Sequence, residues 1–197
     1  MIKLGITGGL GSGKSTATEY FRSKGAFICD ADDMAKEHLL HSKSLQEKLI
    51  NAFGKEIVDN RNDVDLEKLS DHAFSSNINQ NILNRIIWPE VYLLIEKAFN
   101  EAKSIEKKLF IVDAALLIEA NFTKYFDIVL LIKADKEIRI SRALKRNNIS
   151  KEQINQRISL QMSDAQKQKH TDVIIQNNDS LGNYYNHLEI FYRSLEI

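Results

Sequence analysis

Five short runs of unbroken apolar character punctuate the chain: Ile2 to Thr7, Phe27 to Asp30, Leu109 to Asp113, Ile128 to Lys133 and Val173 to Gln176. None alternates strictly between apolar and polar positions. A strand with one face in water would alternate, so continuous runs of this length predict strands covered on both faces. Helical spacing fills the stretches between them, which predicts an α/β fold: a five-stranded parallel sheet flanked by helices. In such sheets ligands bind outside the carboxyl ends of the strands, so the residues just after each run are the places to search for chemistry.

Two of the intervening stretches are too long for a simple crossover. From Asp32 to about Lys108 the pattern predicts a helical insert, with helices over Asp33 to Leu40, Leu45 to Phe53 and Leu66 to Phe74. A long helical segment follows from about Ile78 to Lys103, where Leu83, Ile86, Ile87, Val91, Leu94, Ile95 and Ala98 recur at helical spacing. Pro89, the only proline, should kink that segment or separate two helices. The second excursion, about Lys136 to His170, is basic and holds Arg139, Arg142, Lys145, Arg146, Lys151, Arg157, Lys167 and Lys169. Ser150 followed by Gln153 has the form of a capping box, so Arg146 to Ile149 reads as a hinge-like break between two basic helices. The expected organisation is one domain with its core in residues 1–31, 109–135 and 171–197, a helical subdomain at 32–108 and a lid at 136–170.

Composition narrows the class without naming a reaction. The 197 residues are 43% hydrophobic and 27% charged, with 27 basic and 27 acidic side chains, which is ordinary for a globular protein. Zero formal charge offers no reason to expect nucleic acid as a general partner. The apolar runs are too short to span a bilayer, and the first strand begins without a secretory signal, so no membrane association and a cytoplasmic location are expected. Cys29 is the only cysteine and lies in an apolar strand, which predicts a buried structural thiol.

The sharpest chemical signal follows the first run. Gly8-Gly9-Leu10-Gly11-Ser12-Gly13-Lys14-Ser15 is a complete G-x-x-x-x-G-K-[ST] phosphate-binding loop between a strand and a helix. Its backbone N–H groups must turn inward around phosphate oxygens, and glycine permits both the turn and the close approach. Lys14 is placed to reach the β- and γ-phosphates, the Ser15 hydroxyl suits Mg²⁺, and the following helix aims its positive end at the anion. A nucleoside triphosphate with Mg²⁺ is the expected ligand.

Other strand ends offer partners for that loop. Asp30 and Asp32 close the second run: Asp32 is a candidate base that orients an acceptor hydroxyl, or both residues cap a helix starting near Asp33. Asp113 ends the third run, either as a carboxylate linked to Mg²⁺ or as a solvated strand end, and Glu119 is a candidate for the acceptor site. Arg142 and Arg146 lie four apart, so a basic stripe can face the phosphates, while Lys167 and Lys169 read as solvated lysines in a polar run.

Taken in order, Gly8 to Thr16, Asp30-Ala31-Asp32, Asp113-Ala114-Ala115-Leu116-Leu117-Ile118-Glu119, Arg142 with Arg146, and Arg157 to Gln161 resemble the dephospho-coenzyme A kinase family over nearly the whole chain. The resemblance implies a phosphate-loop kinase of the nucleoside-monophosphate-kinase type. It implies transfer of the γ-phosphoryl of ATP to the ribose 3′-hydroxyl of dephospho-CoA, which completes coenzyme A. By the same resemblance Gly11, Ser12, Gly13, Lys14, Ser15 and Thr16 bind ATP phosphates. Asp32 is the base, Arg142 a lid arginine near the phosphates, and Leu116, Glu119 and Arg157 join Asp32 in contacting the acceptor. The chain departs from the family in having Trp88-Pro89 in place of His-Pro and Ala115 in place of Pro, and Trp88 is expected to pack in the helical subdomain. Another small-molecule kinase would use the same loop. A GTP-binding switch would also carry it, but the N-K-x-D string is absent and the D-x-x-G string at Asp179 to Gly182 falls too late in the chain. The oligomeric state is left open.

Overall fold

The structure, a computed structural model, describes residues 1–146 and 150–197, the side chain of Arg146 excepted. Of the break expected at Arg146 to Ile149, residues 147–149 lie outside the described residues. The chain divides into two compact units, Met1–Asp30 with Lys97–Ile197, and Ala31–Glu96.

The first unit is built on a five-stranded parallel sheet. Its strands are β1 (Ile2–Thr7), β2 (Phe27–Asp30), β3 (Leu109–Asp113), β4 (Ile128–Lys133) and β5 (Val173–Gln176), in the order β2-β3-β1-β4-β5. The two edge strands are therefore β2 and β5, and all five residues of β3 are buried, which is why that run has no polar alternation. Leu4, Ile6, Leu130 and Ile132 of the sheet pack with Ala17 and Phe21 of α1 (Lys14–Ser23) and with residues of the C-terminal helix, Leu181–Ser194. From that last helix come Tyr184, Leu188 and Phe191, the Phe191 ring meeting Phe21 edge-on at 6.0 Å. Burial of each large apolar side chain there stabilises by about 1.5–3 kcal/mol. Past its Lys24 cap, α1 closes with paired bonds from Gly25 N–H to the Arg22 carbonyl (2.9 Å) and Ala26 N–H to the Phe21 carbonyl (3.1 Å), the arrangement that ends a helix sharply before a strand.

The strand order sets the position of the site. The chain leaves β1 toward β2 on one side and returns to β4 on the other, with β3 inserted between β1 and β2. The carboxyl end of β1 thus lies between two neighbours, Ile6 pairing with Asp113 and Thr7 with Leu131. A crevice opens at such a switch point, and the phosphate loop begins there.

In the second unit, α2 (Ala31–His41), α3 (Lys43–Phe53) and α4 (Leu66–Ala73) are followed by α5 (Asn77–Ser104), whose residues from Lys97 onward belong to the first unit. Ser42 caps α3 by accepting from Leu45 N–H, and Asp65 caps α4 by accepting from Glu67 and Lys68 N–H. Leu39, Leu45, Leu49, Phe53, Ile57 and Leu69 form a core against which Ile82, Leu83, Ile86 and Ile87 of α5 pack.

One alternative is settled here and one expectation corrected. Of the kink or boundary expected at Pro89, the boundary is excluded: α5 runs through it as one helix. Proline removes one backbone donor, but the apolar residues before it pack on the core and Val91 and Ile95 after it are buried, so packing outweighs the lost bond. The helix after β2 starts at Ala31, not near Asp33, which places Asp32 inside its first turn rather than at its cap. Trp88 is half-buried on α5.

Candidate active site

The loop from Gly8 to Gly13 joins β1 to α1, and its shape is imposed from outside by donors to its carbonyls. Arg139 Nε, from α6 (Lys136–Arg146), donates to the Leu10 carbonyl at 3.0 Å. Asn177, immediately after β5, donates from Nδ2 to the Ser12 carbonyl at 2.8 Å, and Tyr184 of α9, the C-terminal helix, donates to the Gly13 carbonyl at 3.0 Å. In a planar trans peptide the C=O of one residue and the N–H of the next point in opposite directions. Holding these three carbonyls outward therefore turns the amides of Gly11, Gly13 and Lys14 inward. The loop is an anion cradle because these three carbonyls are held from its other side.

Two of its glycines are needed on that outer side as well. Gly11 and Gly13 have φ of 78° and 105°, in the left-handed region. A Cβ on Gly11 would lie 2.2 Å from the Arg139 carbonyl oxygen, and one on Gly13 would lie 2.2 Å from Asn177 Nδ2. Gly13 is also the N-cap of α1 and supplies no side-chain acceptor, so the first-turn amides of that helix are not occupied by a cap. Ser12 is buried, and its Oγ has no hydrogen-bond partner among the described residues. An orphaned hydroxyl, inward amides and a helix N-terminus together fit a polyphosphate.

Charge is arranged around the cradle. Lys14 Nζ lies 3.8 Å from the Asp113 carboxylate at the end of β3, both largely shielded from solvent. Ser15 is exposed and Thr16 half-buried in the first turn of α1. Arg142 donates to the Asn177 carbonyl at 2.9 Å and to its Oδ1 at 3.3 Å, so it supports the residue that holds the Ser12 carbonyl. Burial pushes the Tyr184 hydroxyl well above its ordinary range and keeps it a donor to the loop. Burial, with Asp30 adding to it, pushes the Cys29 thiol up to about 12, so it stays protonated and inert as a nucleophile.

The largest correction concerns Lys167. It is not a solvated lysine: it ends the short helix α8 (Asp164–Lys167), which follows α7 (Lys151–Ser159), and its side chain is 0% exposed. Its Nζ donates to the Ala115 carbonyl at 2.6 Å and pairs with Glu119 at 3.0 Å. Burial lowers its pKa, the attraction of Glu119 opposes that, and Lys14 lowers it further. Glu119 also accepts from Met162 N–H at 3.0 Å. Leu116 is half-buried between Ala115 and Glu119, and Arg157 is half-buried on α7. Asp32 lies in the second unit, exposed on the first turn of α2, two residues beyond Asp30, whose strand partner is Asp113.

Asn177, Tyr184, Arg139 and Lys167 were not assigned these roles by sequence reasoning. Asn177 was within its reach, since it directly follows the fifth apolar run, where a parallel sheet places its chemistry. The other three act at sequence separations that leave no local signature. Among the described residues no group of three His, Cys, Asp or Glu side chains is gathered for a metal, and no helix is long and apolar enough to cross a membrane. Mg²⁺ in phosphoryl-transfer sites uses few protein ligands and completes its shell with phosphate and water, so Ser15 and Asp113 are a donor set of the right kind.

A phosphate cradle at the switch point of a parallel sheet in this strand order defines the chain as a phosphate-loop kinase fold. The family model for dephospho-CoA kinase matches residues 2–183. A dephospho-CoA kinase from Fusobacterium nucleatum is 35% identical over 188 residues, covering 95% of each chain. The crystal structure of TT1252 from Thermus thermophilus superimposes with a TM-score of 0.80 at 28% identity, over 98% of this chain and 97% of that one. Dephospho-CoA kinase from Campylobacter jejuni shares the fold, with a TM-score of 0.69 at 22% identity and coverage of 98% and 96%. The chain belongs to the dephospho-CoA kinase family.

Proposed function

We propose that the chain transfers the γ-phosphoryl group of ATP to the ribose 3′-hydroxyl of dephospho-CoA, yielding ADP and coenzyme A. The observation that carries this reading is the cradle at Gly8 to Ser15 with Lys14 facing Asp113, in a chain of this family. The bond between the γ-phosphorus and its bridging oxygen breaks as the acceptor oxygen bonds to phosphorus, and the hydroxyl proton passes to Asp32. Such transfer runs through a loose transition state with charge spread over equatorial oxygens, so alignment and cations matter more than a strong base. Lys14 and the inward amides bind the β- and γ-phosphates and hold them in line. Arg142 adds positive charge and keeps Asn177 against the loop. Ser15, together with Asp113, would hold Mg²⁺, which would supply positive charge to neutralise the β- and γ-phosphates. Leu116, Glu119 and Arg157 serve the acceptor side. Residues 32–108 supply the acceptor subdomain and 136–170 the lid that keeps water from the phosphoryl group. The same reading assigns the enzyme to the cytoplasm, where ATP is at hand.

The test offers the protein ATP with dephospho-CoA and, separately, with nucleoside monophosphates and shikimate. Preferential phosphorylation of dephospho-CoA supports the assignment, and preference for another acceptor overturns it. In the same assay Asp32→Asn should lower kcat at least about 100-fold while ATP affinity changes less than about threefold. Equal loss of both would make Asp32 a structural residue.

A further inference from the structure

Residues 161–167, between α7 and β5, are tied to both sides of the phosphate cradle. On one side Gln161 Oε1 accepts from Leu10 N–H at 3.3 Å, and Asp164 pairs at 3.4 Å with Arg139, which itself holds the Leu10 carbonyl. On the other side Met162 N–H donates to Glu119 at 3.0 Å, and Lys167 reaches Ala115 and Glu119. The Ala115 carbonyl also accepts from Thr7 Oγ1 at 3.3 Å, and Ala114 N–H donates to the Ile6 carbonyl at 3.1 Å. The chain just past Asp113 is thereby pinned to the last residues of β1, one step before the loop begins.

Stability alone is a poor reason for this arrangement. A buried ammonium with a carboxylate is costly to desolvate, and a well-packed neutral pair of similar volume often serves the fold equally well. What the charges add is direction: a charge-assisted bond to one carbonyl, with Glu119 fixing the lysine from the opposite side.

We propose that Lys167, paired with Glu119, is a positioning residue: by holding the Ala115 carbonyl it fixes the turn after β3 and so the approach of Asp113 to Lys14. It touches no substrate and acts through the backbone of 113–119. This rests on the proposed transfer reaction and extends it to residues outside the phosphate loop.

The experiment compares wild type, Lys167→Met, Glu119→Gln and the double variant Lys167→Met/Glu119→Gln, which buries no unpaired charge and keeps an acceptor for Met162 N–H. KM for dephospho-CoA in Glu119→Gln separates any loss on the acceptor side from the loss due to Lys167. Thermal melting, equilibrium ATP binding, and kcat with ATP and dephospho-CoA are measured, the kinetics well below every Tm. The double variant should recover a Tm near wild type while kcat stays at least about tenfold low, with ATP affinity within about threefold. Recovery of kcat in step with Tm would make the pair structural and overturn the proposal, as would loss of ATP affinity as large as the loss of kcat. If Lys167→Met alone does not fold, the double variant carries the same comparison. Wild-type protein that binds ATP but leaves dephospho-CoA unphosphorylated would sink the acceptor assignment instead. The variants' ATP hydrolysis rates then decide the positioning role by the same criterion.

Discussion

Helix α1 carries a charge cluster at each end, and the two are built on opposite principles. At its N-terminus Lys14 and Asp113, with Lys167 and Glu119 behind them, are at most 15% exposed, and the charges hold backbone as well as each other. At its C-terminus Glu189 of α9 accepts from Tyr20 and pairs with Lys24 at 2.8 Å and Arg193 at 2.7 Å, with Arg193 77% exposed. The numbers of charged groups are similar, but the dielectric differs. Water screens the rear cluster, so it fastens α9 to α1 weakly and tolerates change. The front cluster is shielded, so each charge there has a large effect on its neighbours and a removed partner is felt. The helix thus joins a stiff functional end to a forgiving structural one.

The largest test of that contrast is Lys14→Ala, which should lower kcat with ATP and dephospho-CoA about 100- to 1000-fold. A loss below about tenfold would show that the front cluster does not stabilise the transferring group. Next, Arg142→Ala and Asn177→Ala should each cost about 10- to 100-fold in kcat/KM for ATP, because both loosen the tie to the Ser12 carbonyl. If Arg142 acts only through Asn177, the double variant is no worse than either single one, whereas multiplying losses assign Arg142 a direct effect on the phosphates; single-turnover rates read this without product release.

The smallest effects belong to the rear cluster. Glu189→Gln should leave kcat within about twofold and lower Tm by only about 3 °C or less, the shift shrinking at high salt. Hydrogen bonds and charge from Lys24, Tyr20 and Arg193 hold the Glu189 carboxyl at about 2, against 4.5 ordinarily. A lowered carboxyl pKa contributes stability that is complete above the ordinary value and is lost as pH falls toward the folded one. Melting curves between pH 5 and pH 2 should therefore converge for wild type and Glu189→Gln, and a gap that persists at the acid end would mean that packing, not charge, ties α9 to α1.

Much of this fold was legible before any coordinates. The five strands occupy the ranges their apolar runs delimit, because a strand buried on both faces must be apolar throughout. The phosphate loop was legible because its glycines and lysine follow one another along the chain. Helix ends were less so: α2 starts two residues earlier than its sequence suggests, and α5 passes through Pro89, since contacts made elsewhere outweigh local propensity.

Sequence by itself determined the sheet, the nucleotide and the family, all of which depend on residues close together or in fixed order. Only the tertiary structure decided what shapes the loop. Asn177, Tyr184 and Arg139 reach it from more than a hundred residues away, and Lys167 looks like any lysine in a polar run until the fold buries it against Glu119. A side chain's charge is written in the sequence, but its dielectric and its partner are properties of the packed chain.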